Sequence, residues 1–300
     1  MKKSPRFNSG LLALLLTCVA GLSFAQTTTF SESYDNIDQI KLNIGAGDLA
    51  IAKSTTDAVE IMIEYDRSDL ELKVEIKNGA LKIEEKTLKN QEWGRTSWTI
   101  KIPDGKKMEI NVGAGDVAME GINASMEANI GAGSFALQQV GGEIRLNTGT
   151  GKIQVEDSAG TFDVNSGTGN IHLKKMRGAI TANTGTGNVV AEAISVTGKS
   201  SMNSGTGKVN MSLGNPVQAD LGINSGTNDS SLDFNGFDFD GILTIVCDKR
   251  QGKIKAPFDF SQEEVDQDDR SETLKKVKRF GDSEVEIQIG SGTGTASVDQ

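Results

Sequence analysis

The segment LNTGTGKIQVEDSAGTFDVNSGTGNIHL, residues 146–173, contains nearly the same sequence twice, and this repeat indicates the fold. Apolar residues recur every nine positions through it and beyond it, at Val117, Met126, Phe135, Ile144, Ile153, Phe162, Ile171, Ile180 and Val189. A second apolar residue follows each of them two positions later, so every nine-residue unit holds an apolar-x-apolar pair. This alternation is typical of a short strand with one buried face.

The links between these pairs are of two alternating types, which doubles the period to 18 residues. One type begins with Asn and has Gly at its third and fifth positions, as in Asn147, Gly149, Gly151 and again in Asn165, Gly167, Gly169. The other type has Ile122, Val140, Ser158, Met176 or Ile194 at its third position. We expect the fifth-position glycine to reverse the chain with a positive φ.

Two strands and two unlike corners per period predict an all-β, single-domain parallel β-solenoid with 18-residue, two-strand coils. Its two sheets should face each other across a thin core. A three-sided left-handed helix is excluded, because it would need an apolar period of six rather than nine. The amides that begin the glycine links should stack ~4.8 Å apart and form a hydrogen-bonded ladder; they are Asn129, Asn147, Asn165, Asn183 and Asn203.

The same corner recurs outside the regular coils of about 110–232, at 42–51 and at 289–298. The long intervals before and after the coils alternate in polarity, so we predict strand-rich excursions near both ends. Asn78-Gly79 is a hairpin signal within the first excursion. The charged segment 260–281 is poor in apolar residues and is predicted to be a solvated loop or a short helix.

Residues 1–25 have the features of a secretory signal peptide, which leaves residues 26–300 as the solenoid domain. Lys2, Lys3 and Arg6 precede a short apolar run, and Ser23-Phe24-Ala25 provides the small residues of a cleavage site. The run is too short to span a membrane. The sequence therefore predicts an exported protein, either periplasmic or secreted to the cell surface or medium.

The net charge narrows the range of possible partners. The full chain carries a net charge of −10, and removal of the three signal-peptide cations gives −10 − 3 = −13. This acidity argues against nucleic-acid binding, which needs arrays of Lys and Arg.

Only Cys247 remains after cleavage, in the alternating run GILTIVCDK, and it is predicted to be a buried structural thiol.

A family resemblance rests on three features of the mature chain. These are WTIKIPDGKKMEINVGAGDV at 98–117, the successive N-x-G-[AT]-G coils, and the closing EVEIQIGSGTGTASV at 284–298. Together they resemble the bacterial "putative adhesin" family of unknown function, a glycine-rich β-solenoid of cell-envelope proteins. The resemblance covers roughly residues 27–298 and implies this fold, but it brings no active-site residues with it.

The sequence predicts no catalytic residue, no cofactor and no metal site. GTGK at 149–152 and 205–208 leads into another strand, whereas a phosphate-binding loop leads into a helix. Asp48 and Asp116 are the only acids that directly follow a G-x-G corner, which is too few for a calcium β-roll. His172, the single histidine, lies between two core residues and should point outward.

Hydroxyl side chains form the most regular surface feature. Two outward rows are predicted: one contains Thr150, Thr168, Thr186, Thr206 and Thr227, and the other contains Thr148, Ser166, Thr184, Ser204 and Ser225. An alternative role for such small hydroxyls is to satisfy backbone groups in the turns. Trp93 is a candidate contact residue or a cap over the solenoid core, and Trp98 is predicted to be a core residue.

These features favour a non-enzymatic solenoid for envelope binding, adhesion or scaffolding, whose partner is an envelope component, a glycan or a protein. A carbohydrate-active enzyme on a β-helix is the alternative. It is less favoured because Asp163 is expected to stack between Arg145 and Thr181 rather than within a carboxylate cluster. Ice binding, suggested by the threonine rows, is a lesser alternative.

Overall fold

The computed structural model describes residues 28–65, 70–86, 96–268 and 271–300; the predicted signal peptide and Trp93 lie outside these ranges. The described residues contain strands and no helix. The strands are β1 Thr28–Tyr34, β2 Gln39–Lys53, β3 Val59–Tyr65, β4 Glu71–Lys77, β5 Ala80–Lys86, β6 Thr96–Ile102, β7 Lys107–Ala114, β8 Val117–Glu120, β9 Asn123–Ala132, β10 Phe135–Gln138, β11 Gly141–Thr150, β12 Ile153–Glu156, β13 Ala159–Thr168, β14 Ile171–Lys174, β15 Arg177–Thr186, β16 Val189–Val196, β17 Ser200–Ser204, β18 Val209–Leu213, β19 Leu221–Ser225, β20 Ser230–Asp233, β21 Gly241–Asp248, β22 Lys253–Lys255, β23 Gln262–Asp268, β24 Ser271–Phe280, β25 Glu286–Ser291 and β26 Thr295–Asp299.

The strands form two facing sheets, as the repeat predicts. Sheet A runs in the order β1, β3, β6, β2, β8, β10, β12, β14, β16, β18, β20, β26, β22. Sheet B runs in the order β4, β5, β2, β7, β9, β11, β13, β15, β17, β19, β25, β21, β24, β23. Strand β2 is long enough to bend from sheet B into sheet A.

The regular coils pair in parallel with the predicted 18-residue offset. In sheet B, Ile144 pairs with Phe162, and in sheet A, Ile153 pairs with Ile171. These side chains are at most 1% exposed, so the apolar pairs of both sheets meet in one thin core. Complete burial of such a side chain contributes roughly 1.5–3 kcal/mol. The prediction of a two-sheet β-solenoid is therefore confirmed.

The two corners differ as their sequences indicate. At one corner, Val140 and Met176 are buried. The reversal there uses non-glycine residues with positive φ, at Gln139, Asp157, Lys175 and Ala193, which sequence reasoning did not identify. At the other corner Gly151 has φ 153°, and a Cβ there would lie 1.9 Å from the Gly133 carbonyl oxygen one coil away. The stacking distance therefore admits only glycine.

The first excursion adds two antiparallel elements to the N-terminal end of the solenoid. Strands β4 and β5 form a hairpin, with Asn78 and Gly79 at positive φ in its turn, as the sequence predicts. Strand β5 then lies beside β2 in sheet B. In sheet A, β6 pairs with β2 and β3 pairs with β6, so these two strands continue the sheet beyond β2. Trp98 on β6 is completely buried, as expected of a core residue.

The prediction of a loop or short helix at 260–281 is wrong. Strands β23 and β24 form an antiparallel hairpin, and β24 pairs with β21 at the end of sheet B. The acidic first half lies opposite the basic second half, so Lys276 forms an ion pair with Glu263 at 2.9 Å. Opposite charges on facing strands stabilise such a ribbon, which explains why a segment poor in apolar residues is ordered as strand.

Candidate functional site

The glycine corner carries a continuous row of Asn side chains, here called the amide row. It contains Asn43, Asn111, Asn129, Asn147, Asn165, Asn183, Asn203 and Asn224. Each Nδ2 donates to the Oδ1 of the preceding member at 2.8–3.2 Å. Asn43 and Asn111 are neighbours although 68 positions separate them. The row therefore continues across the first excursion.

Close backbone stacking beside the amide row explains the first glycine of each G-x-G corner. A Cβ on Gly149 would lie 2.5 Å from the Gly131 carbonyl oxygen, and one on Gly167 would lie 2.6 Å from that of Gly149. At the second glycine, a Cβ on Gly169 would be 1.9 Å from the Gly151 carbonyl oxygen. The corner thus has backbone rather than side chains on both sides of its central residue.

The second hydroxyl row predicted to face outward is buried instead. Thr148, Ser166, Thr184, Ser204 and Ser225 are all at most 5% exposed. Their hydroxyls donate to carbonyl oxygens inside the corner; for example, Thr148 Oγ1 donates to Gly133 at 2.9 Å and Ser225 Oγ donates to Gly207 at 2.7 Å. The tight turn brings these side chains inward, so they satisfy backbone acceptors that the core would otherwise leave unpaired.

The first hydroxyl row does face solvent at the tip of the corner and is called the threonine row. Its exposed members are Thr150, Thr168, Thr186, Thr206 and Thr227. The register places Thr150 beside Thr168, and Thr168 beside Thr186. Within the described part of the chain, the hydroxyls of these three residues make no hydrogen bond. They are therefore available to a ligand or to water.

A third ladder, which sequence reasoning missed, follows the second glycine of the corner. Asp116 Oδ1 accepts the Ser134 amide at 2.8 Å, and Asn188 Oδ1 accepts the Lys208 amide at 2.8 Å. Asp229 likewise accepts the Thr295 amide at 3.0 Å. The recurrence of short polar side chains at this position was the available signal. These groups hold one coil to the next.

The remaining polar candidates do not converge. Arg145 and Thr181 flank Asp163 in register, and Arg145 forms an ion pair with Glu143 at 3.4 Å. His172 is half-exposed on the outer face of sheet A, with its Nε2 3.6 Å from Glu192 Oε2. Over the described residues, no group of three or more His, Cys, Asp and Glu side chains could hold a metal ion.

Cys247 is buried and unpaired, as the sequence predicts. Burial raises the pKa of its thiol above the ordinary value, which makes the reactive thiolate scarce at neutral pH. Its position opposite Leu274 in the β21–β24 ladder is that of a packing residue. Cys247 therefore packs within the fold and is not placed as a reactive thiol.

Aromatic side chains are concentrated at the ends of the solenoid. Between residues 96 and 232, the Phe and Trp side chains are Trp98, Phe135 and Phe162, and all three are buried. At the C-terminal end, Phe258 packs edge-on against Phe260 and Phe280. A cleft of about 980 Å³ there is lined by Phe258, Phe260 and Lys276. Between residues 96 and 232 the coils therefore expose no Phe or Trp side chain on their flat faces.

One shallow depression interrupts the outer face of sheet A. It has a volume of about 410 Å³ and lies over Ala50, Ala118 and Ala136, with Glu120 and Glu156 among its lining residues.

Over the ranges that the structure describes, no helix has the length and hydrophobicity to cross a membrane.

The sequence matches one known protein family. A family model described as Toastrack DUF4097 matches residues 37–241. None of the curated proteins matches the sequence. Similar solved structures include a "putative lipid binding protein" from Parabacteroides distasonis, with 13% identity, 90% of this chain and 96% of that chain covered and a TM-score of 0.45. A "putative adhesin" from Bacteroides fragilis has 13% identity, coverages of 90% and 97% and a TM-score of 0.39. A "putative cell adhesion protein" from Clostridium sporogenes has 16% identity, coverages of 92% and 100% and a TM-score of 0.26.

Proposed function

Because the chain belongs to the Toastrack family, we propose that it is an exported, non-enzymatic binding module of the cell envelope, with an adhesive or scaffolding role. The observation that carries this proposal is the threonine row. It presents one hydroxyl and one methyl group per coil, at the strand spacing of roughly 4.8 Å, along a rigid corner.

Rigidity supports a binding role for this surface. The amide row, the buried hydroxyls and the third ladder hold each corner to the next with side-chain hydrogen bonds. A surface that is already ordered loses little conformational entropy when it binds. The regular spacing suits an extended envelope polymer, such as a glycan, or a protein strand, whose own groups recur along its length.

The test uses the mature protein, residues 26–300, in binding to glycan arrays and to envelope fractions. The informative variant replaces Thr150, Thr168, Thr186 and Thr206 with Ala together. A matched control replaces Thr161 and Thr197, which are exposed threonines away from the row. We expect binding by the wild type and the control, with at least a tenfold loss in the variant.

The outcomes separate the parts of the proposal. Absence of binding to every envelope fraction and glycan would contradict the binding role. Binding that is equal in all three proteins would retain the role but refute the threonine row as its site. Turnover of an envelope polysaccharide would contradict the non-enzymatic assignment. N-terminal sequencing of the exported protein should give Gln26 as its first residue.

A further inference from the structure

The amide row has a single direction along its whole length. Every Nδ2 points toward the N-terminal end of the solenoid and every Oδ1 toward the C-terminal end, through seven successive hydrogen bonds. A reversed amide inside the row would place two donors face to face on one side and two acceptors on the other. Because each such fault leaves groups unpaired, the members favour a common direction.

The N-terminal end of the row meets a carboxylate. Strand β5 lies beside β2, where a preceding coil would otherwise lie, and its Glu84 pairs in register with Asn43. Asn43 Nδ2 donates to Glu84 Oε1 at 3.1 Å. An ionised carboxylate only accepts hydrogen bonds. Asn43 must therefore present its Nδ2 to β5 and its Oδ1 to Asn111.

The surroundings of Glu84 keep it ionised. Lys82 Nζ lies 2.6 Å from its carboxylate and Lys73 Nζ lies 4.0 Å away. The hydrogen bond from Lys82 is the main cause that lowers the pKa of Glu84, with a further contribution from Asn43. At neutral pH the end of the row is thus held by a permanent acceptor.

The adjacent residue, Glu85, likewise accepts a hydrogen bond from the backbone of the first corner. Glu85 Oε2 accepts the Gly45 amide at 2.7 Å, while its Oε1 accepts the Thr96 hydroxyl at 2.7 Å. Glu84 and Glu85 therefore supply two acceptors at the end of the first coil. This pair was not identified from the sequence, where it belongs to an ordinary charged strand.

The row has a second fixed point and an open end. Asn165 Nδ2 donates to Asp163 Oδ1 at 2.9 Å as well as to Asn147. The carboxylate of Asp163 thus requires the same direction as Glu84. At the other end, Asn224 pairs in register with Gly290, which has no side chain to continue the row.

We propose that the amide row is a cooperative two-state element whose direction is set by two carboxylates, Glu84 at its N-terminal end and Asp163 in its middle. Because a fault anywhere in the row leaves groups unpaired, either carboxylate alone is sufficient to hold every member in the common direction. Removal of both carboxylates leaves no acceptor-only group to select a direction, so the two directions become nearly equal in free energy.

The test measures the direction of each side-chain hydrogen bond in the labelled mature protein by NMR, through couplings between Asn Nδ2 and the acceptor Cγ. The wild type should show couplings from each member to the preceding one, as from Asn111 to Asn43. The variant Glu84→Gln should keep these couplings, because Asp163 still fixes Asn165 and, through it, the other members. Glu84→Gln combined with Asp163→Asn should lose the single direction, with doubled side-chain amide signals throughout the row.

Glu75→Gln is the matched control, because Glu75 is also a carboxylate paired with Lys73 but does not touch the row. The amides of Asn170 and Asn188, which lie outside the row, serve as internal references. If the double variant keeps the wild-type couplings and shows no more change than Glu75→Gln, the proposal is overturned. If the double variant does not fold, Glu84→Gln alone provides the test, because doubled signals confined to Asn43–Asn147 would overturn the cooperative row.

Discussion

The amide row makes a sharp prediction for Asn165→Asp, a change of nearly constant shape. Asn165 Nδ2 donates to Asn147 Oδ1 at 3.1 Å and to Asp163 Oδ1 at 2.9 Å, and its Oδ1 accepts from Asn183 at 2.9 Å. The introduced carboxylate keeps the last bond and loses the other two. It also faces two acceptors, one of which is the charged Asp163.

The expected loss of unfolding free energy follows from these contacts. Two hydrogen bonds contribute about 1 kcal/mol each. Repulsion between two carboxylates about 4 Å apart costs roughly 1–4 kcal/mol for an effective dielectric between water and a protein surface. A stronger, charge-assisted bond from Asn183 offsets about 1 kcal/mol. We therefore expect Asn165→Asp to destabilise the protein by about 3 kcal/mol at pH 7.

Urea denaturation at pH 7 and at pH 3 measures this effect. At the lower pH the introduced carboxyl becomes protonated and can donate, so the destabilisation should shrink. Asn170→Asp is the matched control, because Asn170 Oδ1 only accepts the Asn188 amide and a carboxylate preserves that bond. A loss below about 0.5 kcal/mol for Asn165→Asp, the range of ordinary surface changes, would refute the hydrogen-bonded amide row.

Three further predictions concern single residues. Ser230 is completely buried and its hydroxyl has no hydrogen-bond partner among the described residues, so Ser230→Ala should stabilise by about 1 kcal/mol and raise the Tm; a lower Tm would show that the hydroxyl is paired. Gly151→Ala should lower the free energy of unfolding by at least about 3 kcal/mol, because its Cβ would clash with the backbone. Gly105→Ala, with open space around it, should lower it only by the roughly 1–2 kcal/mol of a left-handed residue. Equal losses for the two variants in denaturant unfolding would contradict close stacking. The Lys208 ammonium, and next the Thr295 amide, lower the pKa of Asp229 below 3.8. The contribution of Asp229 to stability is therefore complete above that pH and is lost as the pH falls through the folded-state pKa. Asp229→Asn should reduce the loss of stability measured between pH 5 and pH 2, and an unchanged pH profile would contradict this role.

The coil, its two corners and its core could all be predicted from the repeat in the sequence. In a solenoid each coil packs against a near copy of itself, so the contacts of Ile153 with Ile171 are encoded by a period that is visible along the chain. The close approach at Gly151 could be inferred in the same way, because glycine recurs wherever the corner stacks. Sequence reasoning also placed five members of the amide row in one line, namely Asn129, Asn147, Asn165, Asn183 and Asn203.

Features that join unlike segments could be recognised only from the folded chain. The hairpin at 262–280 depends on cross-strand charges such as Glu263 with Lys276, which along the chain look like a solvated loop. The burial of Thr148 depends on how tightly the corner curls, which its spacing does not reveal. Glu84 caps the row because β5 docks beside the first coil. No repeat encodes that contact, since a solenoid end must pair with a strand whose sequence differs from its own coils.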